Sequence, residues 1–156
     1  MAVGRRRARR EALFLLYQRD LMGIPARTSI ERAEHSGMVV DSYTRLLVLG
    51  VEDQLQELDL VIGRHLQGWT VDRLAALERN ILRIGLFEMW LRRTAGSGGG
   101  SPLAMEPAPA EGADDVVVPP EVAIDQAVEL AKRFCSDEAG ALVNGVLGAA
   151  MAAGET

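Results

Sequence analysis

Five of the six residues from Arg5 to Arg10 are arginine, interrupted only by Ala8. Guanidinium groups at this density suit phosphate, because each is permanently charged and offers a planar fork of donors to anionic oxygens. The block runs straight into Ala12-Leu-Phe-Leu-Leu-Tyr17, and nothing from Arg5 to Tyr17 breaks a helix, so one helix carries both. At about 100° per residue the arginines fan over more than half of its circumference, and the apolar half covers nearly all of it. That pattern predicts a helix buried on most sides with a cationic head. Cations at a helix start oppose the macrodipole by roughly 0.3–1 kcal/mol each when exposed, so a structural helix would rather begin with Asp or Glu. A solvated, solubilising terminus is the plain alternative. The adverse dipole position and the arginine composition favour a phosphate-binding arm.

Other chemistry-bearing residues are sparse. His35 and His65 lie far apart and neither has metal-ligand spacing with Cys135, so they read as surface or interface histidines and no metal site is expected. Cys135 is the only cysteine, which excludes an internal disulfide and a cysteine zinc cluster and suggests a reducing, cytoplasmic compartment. No Ser/His/Asp grouping stands out, and Gly98-Gly-Gly100 has linker rather than phosphate-loop context. Neither catalysis nor a cofactor is expected. Two segments invite more attention. Glu78, Arg79 and Arg83 ride on the apolar run Leu77–Glu88, either as a solvated face with ion pairs worth a few tenths of a kcal/mol or as a recognition surface. Gly145 and Gly148, in Leu142-Val-Asn-Gly-Val-Leu-Gly148, leave a shallow groove for close internal packing or for a partner helix.

The elements that must position these residues are helical. The arginine helix is expected to stop at Met22-Gly23 before Pro25, and a short helix to end at Gly37. Asp41 or Ser42 caps a second strong helix running to Gln67-Gly68, with Gly50 as an interior weak point. Thr70 is a candidate cap for the next turn, and Leu74, Leu77, Ile81, Ile84 and Leu91 mark one helical face. Residues 94–118 differ in kind: their Gly, Ser, Pro and acidic composition predicts a disordered insertion. Pro120 can open a helix whose apolar face includes Ile124, Ala127, Ala131 and Phe134, and Ser136 or Asp137 starts the last one. The fold class is all-α, in one domain over residues 1–156.

Hydrophobic content of 48% is ample for a core, and the net charge of −5 rules out a generally basic nucleic-acid binder. The charge is uneven, with eight arginines against three acids up to Ala33 and seven acids without a base from Thr94 to Ala131. The apolar run after the arginines stops at Gln18-Arg19-Asp20 with no cleavage site, unlike a signal peptide, and no segment is apolar for the roughly 18 residues a membrane helix needs.

Four blocks in order resemble the NusB transcription antitermination family: Arg5-Arg-Arg-Ala-Arg9 leading to Tyr17; Leu77-Glu-Arg-Asn-Ile-Leu-Arg83 continuing to Glu88; Val122-Ala-Ile-Asp-Gln-Ala-Val-Glu-Leu-Ala-Lys132; and Val143-Asn-Gly-Val-Leu147. The resemblance implies two small helical subdomains sharing one core. It implies binding of boxA RNA in ribosomal RNA transcripts together with NusE, the small-subunit ribosomal protein, within an RNA polymerase antitermination complex that promotes read-through. It carries RNA binding over to Arg5, Arg6, Arg7 and Arg9, and the NusE-facing surface to Glu78 and Arg79. A related helical fold fronts certain ribosomal RNA cytosine methyltransferases, whose catalytic domain has no counterpart here. Both a monomer and a homo-oligomer are compatible with the sequence. Two departures stand out: Ala141 and Leu142 replace a basic residue and a phenylalanine before Val-Asn-Gly, and the 94–118 insertion replaces a short loop. Leu142 can pack but cannot stack on a base.

Overall fold

The computed structural model describes residues 2–96 and 117–156, with side chains over 4–91 and 117–156, and among these described residues seven helices account for nearly all of the regular structure. Helix α1 spans Ala2–Met22 and closes on Gly23, whose positive φ of 63° lets its N–H reach back to the Arg19 carbonyl. Helix α2, Ala26–His35, starts behind Pro25 without a local side-chain cap. A remote residue supplies the missing acceptor: the Glu52 carboxylate takes the Ala26 N–H at 2.7 Å and Arg19 Nε at 2.7 Å. Asp41 caps α3, Ser42–Asp53, by accepting from the Tyr43 N–H.

The strong helix expected from Asp41 to Gln67 is two helices. The break falls at Gln54, between α3 and α4, Leu55–Arg64, and not at Gly50. Gly50 has a packing role: a Cβ there would lie 2.1 Å from the Phe87 ring. The glycine marks where an aromatic presses on the helix backbone. After α4, Val71–Arg73 form a 3-10 turn in which the Thr70 side chain makes no cap.

Helix α5, Ala76–Gly96, is the centre of the molecule, and every residue from Asn80 to Leu91 is buried. It packs against α1, α3 and α4 and also against the hairpin of α6, Pro120–Phe134, and α7, Asp137–Ala152. Two helical subdomains therefore share one core through α5, and no strand occurs among the described residues. The α6–α7 hairpin approaches α5 closely at Gly85, where an added Cβ would sit 2.7 Å from a Leu147 methyl and 3.1 Å from the Ala127 Cβ. Gly145 and Gly148 have nothing within 4 Å of such a Cβ, so the close internal packing considered for them occurs on α5 instead. Ser136 caps α7 through the Ala139 N–H.

The edges of the 94–118 segment differ from expectation. Backbone helicity in α5 runs through Gly96, and Val118 is buried against the core before α6 begins. Burial of Val118 anchors the start of the hairpin, which composition alone does not reveal. Residues 97–116 lie outside the described residues.

Candidate nucleic-acid interface

The arginine head of α1 lies along α6, and the two helices enclose a groove of about 250 Å³ lined by Arg6, Arg7, Arg9, Arg10, Gln126, Glu129, Leu130 and Arg133. Arg6, Arg7 and Arg133 are exposed and Arg10 is half-buried. Glu129 is the one carboxylate in this lining. Arg7 also pairs with Glu11 one turn on, at 2.9 Å, but remains largely in solvent. Arg5 turns the other way, with its guanidinium 5.0 Å from the centre of the Tyr43 ring.

Arg9 differs from its neighbours. Its side chain is 5% exposed and forms the groove floor. Nε and Nη2 donate to the two oxygens of Glu88 at 2.7 and 2.9 Å, and Nη1 reaches Gln126 at 3.4 Å. The Tyr43 hydroxyl donates to the same carboxylate at 2.8 Å. Burial works to lower the Arg9 pKa, but the hydrogen-bonded charge of Glu88 outweighs it and the net shift is upward. The Tyr43 phenol is pushed up by burial and by Glu88. The Arg9 guanidinium thus serves a buried contact between α1, α5 and α6, whereas Arg6 and Arg7, expected beside it as RNA contacts, are exposed. The cause is helical phase: Arg9 lies on the face of Ala12, Leu13 and Leu16, all buried. That spacing was legible in the sequence. Arg133 was not, since a basic residue in the last turn of α6 equally suits the helix dipole.

At the far end of α1, a second groove of about 590 Å³ is lined by Arg19, Asp20, Gly23, Ile24, Pro25, Glu52, Arg79 and Arg83. Here the charges are paired. Asp20 receives Arg79 at 2.9 Å, Arg83 Nη1 at 3.0 Å and the Asn80 amide at 3.0 Å, and Arg83 forks onto Asp59 through Nε and Nη2, each at 2.8 Å. Burial opposes ionisation of Asp20, but the charge of Arg83 and the bonds from Asn80 and Arg79 prevail and hold its carboxyl below the usual range. Arg79 and Arg83 are therefore ties between helices and not a solvated face. Glu78 is half-buried beside the end of α6, and burial together with its charge raises the Cys135 thiol pKa. His35 is exposed, and His65 contacts Glu155, which also takes Arg64 at 2.6 Å. No cluster of metal-binding side chains occurs among the described residues, and no helix there is long and apolar enough to cross a membrane.

Comparison with known proteins places this geometry among relatives. Residues 6–96 and 115–152 match the model of the NusB family. A transcription antitermination protein NusB of Rubrobacter xylanophilus is 38% identical over 145 residues, 93% of this chain and 88% of that protein. One of Saccharopolyspora erythraea is 38% identical over 146 residues, 92% of this chain and 84% of that protein. A crystal structure of antitermination factors NusB and NusE in complex with double-stranded RNA is similar with a TM-score of 0.72 and 27% identity, covering 98% of this chain and 99% of that chain.

Proposed function

The chain belongs to the NusB family, and from that membership we propose that it is a cytoplasmic, non-enzymatic transcription antitermination factor. It binds boxA-type RNA together with NusE and promotes read-through by RNA polymerase. The observation that carries RNA binding is the groove between α1 and α6, where Arg6, Arg7, Arg10 and Arg133 are accessible and Glu129 is the one carboxylate among the described lining residues, in a protein whose net charge is −5. Phosphate contacts fall to Arg6, Arg7, Arg10 and Arg133, with Arg5 at the margin and Arg9 holding the floor. NusE docks on the face bearing Glu78 and Arg79. Glu78 has no ion-pair partner among the described residues, whereas Arg79 is held by Asp20.

The test is titration of a boxA-type RNA into the protein with and without NusE at two salt concentrations. Expected are tighter binding with NusE and a steep loss of affinity with salt. Charge reversal by Glu78→Lys should weaken NusE binding, measured by calorimetry, more than the RNA affinity of the protein alone. Salt-insensitive or absent RNA binding would remove the proposal, and unchanged NusE affinity in Glu78→Lys would move the docking face elsewhere.

A further inference from the structure

Outside the groove lining, α1 and α6 also meet through an aromatic pair, Phe14 and Phe134. Arg6, Arg10 and Phe14 follow at four-residue spacing and share one broad face of α1. Phe14 is 42% exposed, whereas Ala12, Leu13, Leu15 and Leu16 around it are buried. The ring is nevertheless fixed. It meets Phe134 of α6 in a T-shaped contact, with centroids 5.2 Å apart and planes at 83°. The Arg133 guanidinium lies 5.3 Å from the centre of the Phe134 ring, so Phe134 is held from two directions. A lone exposed apolar side chain is ordinary on a protein surface. Phe14 differs because a second ring orients it and it lies in line with the cations of the groove.

We propose that Phe14 is a stacking platform for an unpaired RNA base whose flanking phosphates lie on Arg10 and Arg133. The inference rests on the RNA-binding reading above and names what that surface recognises. A cationic groove that follows a backbone, with an aromatic ring that takes a base, is how single strands are bound without a base-edge code, since every base has a π face. Bases inside a duplex are already stacked on their neighbours, so the platform selects a nucleotide free to splay out. Arg10 stands one turn before Phe14 on α1 and Arg133 lies over the neighbouring Phe134 ring, and both line a groove in which Glu129 is the one carboxylate among the described lining residues, which favours a polyanion over an apolar protein face.

The experiment compares the parent, Phe14→Leu and Phe14→Tyr. Leucine keeps apolar contact with Phe134 but removes the aromatic face, and tyrosine keeps the face. The probes are a boxA-type single-stranded RNA, the blunt duplex of the same sequence, and a set of single strands each with one abasic nucleotide. The expected result is about tenfold weaker single-strand binding by Phe14→Leu, with near-parent binding by Phe14→Tyr. The salt slope, the duplex affinity and the NusE affinity should not change. One abasic RNA should bind the parent about tenfold more weakly, yet lose nothing further against Phe14→Leu, because both remove the same stack. Should leucine weaken folding, the abasic set on the parent still decides: uniform affinity across it overturns the platform. Parent-like single-strand binding by Phe14→Leu, an equal loss on the duplex, or a loss confined to NusE would each overturn it too, the last making Phe14 a protein contact. Salt-dependent RNA binding by the parent alongside any of these leaves the RNA-binding reading standing, whereas a parent that binds no RNA removes both.

Discussion

Arg6 and Arg9 stand three residues apart in one arginine block and do opposite work. The Arg9 guanidinium is forked onto Glu88, which is 1% exposed and also accepts from Tyr43. Removing one partner of such a pair leaves an uncompensated buried charge, so Arg9→Ala should lose about 3–5 kcal/mol of stability in a denaturant titration. Arg6→Ala should change stability by less than about 0.5 kcal/mol and weaken RNA binding instead. Equal stability of the two variants would refute the division. Asp20 gives the residue scale its pH dependence. Its folded pKa is depressed, so its contribution is present above the unfolded value and is lost as pH falls through the folded one. The parent's melting temperature should therefore drop as pH falls below about 4. Asp20→Asn should melt lower at neutral pH and show a shallower acid limb. Parallel curves for the two proteins would dismiss the carboxylate as a stabilising group.

Helical elements were legible wherever local chemistry decides them. Gly23 and Gly37 end α1 and α2 with positive φ, Asp41 and Ser136 cap α3 and α7, and Pro120 opens α6. What stayed hidden depends on a distant side chain. The cap of α2 comes from Glu52, the break at Gln54 has no glycine or proline signal, and the cationic groove needs Arg133 from a helix more than a hundred residues away. Gly50 shows how an element-level signal is misread. As an interior helix glycine it should gain about 1 kcal/mol on replacement by alanine. The Phe87 ring atoms 2.1–2.8 Å from the added Cβ oppose this, because Phe87 is buried and cannot swing clear. Overpacking of that kind costs about 1–3 kcal/mol, so Gly50→Ala should be net destabilising. Pairing it with Phe87→Leu should recover part of the loss. Gly145→Ala is the control, with open space around its Cβ and an expected gain of about 0.5–1 kcal/mol. A more stable Gly50→Ala protein, measured by thermal melting, would mean that the ring yields.

At the scale of the whole molecule, α5 lets two small helical groups act as one body, and α1 crosses it with a different charge pattern at each end. The arginines near Asp20 are neutralised by carboxylates, while at the head Arg6 and Arg10 line the groove with no ion-pair partner among the described residues. A protein of net charge −5 repels RNA at long range, yet the screening length is about 10 Å at 0.1 M salt, so binding is decided by the local groove and not by the total. Two variants with the same net charge separate these effects. Arg10→Ala with Arg133→Ala removes two groove cations; Arg27→Ala with Arg32→Ala removes two exposed cations from α2. Each phosphate contact on a single strand contributes about 0.7 to the slope of log affinity against log salt. The groove pair should therefore flatten that slope by about 1.4 and weaken binding at every salt concentration. The α2 pair should keep the parent slope, with at most a small loss at low salt where screening is least. If both pairs flatten the slope alike, affinity follows the field of the whole protein, and the groove is not where the backbone lies.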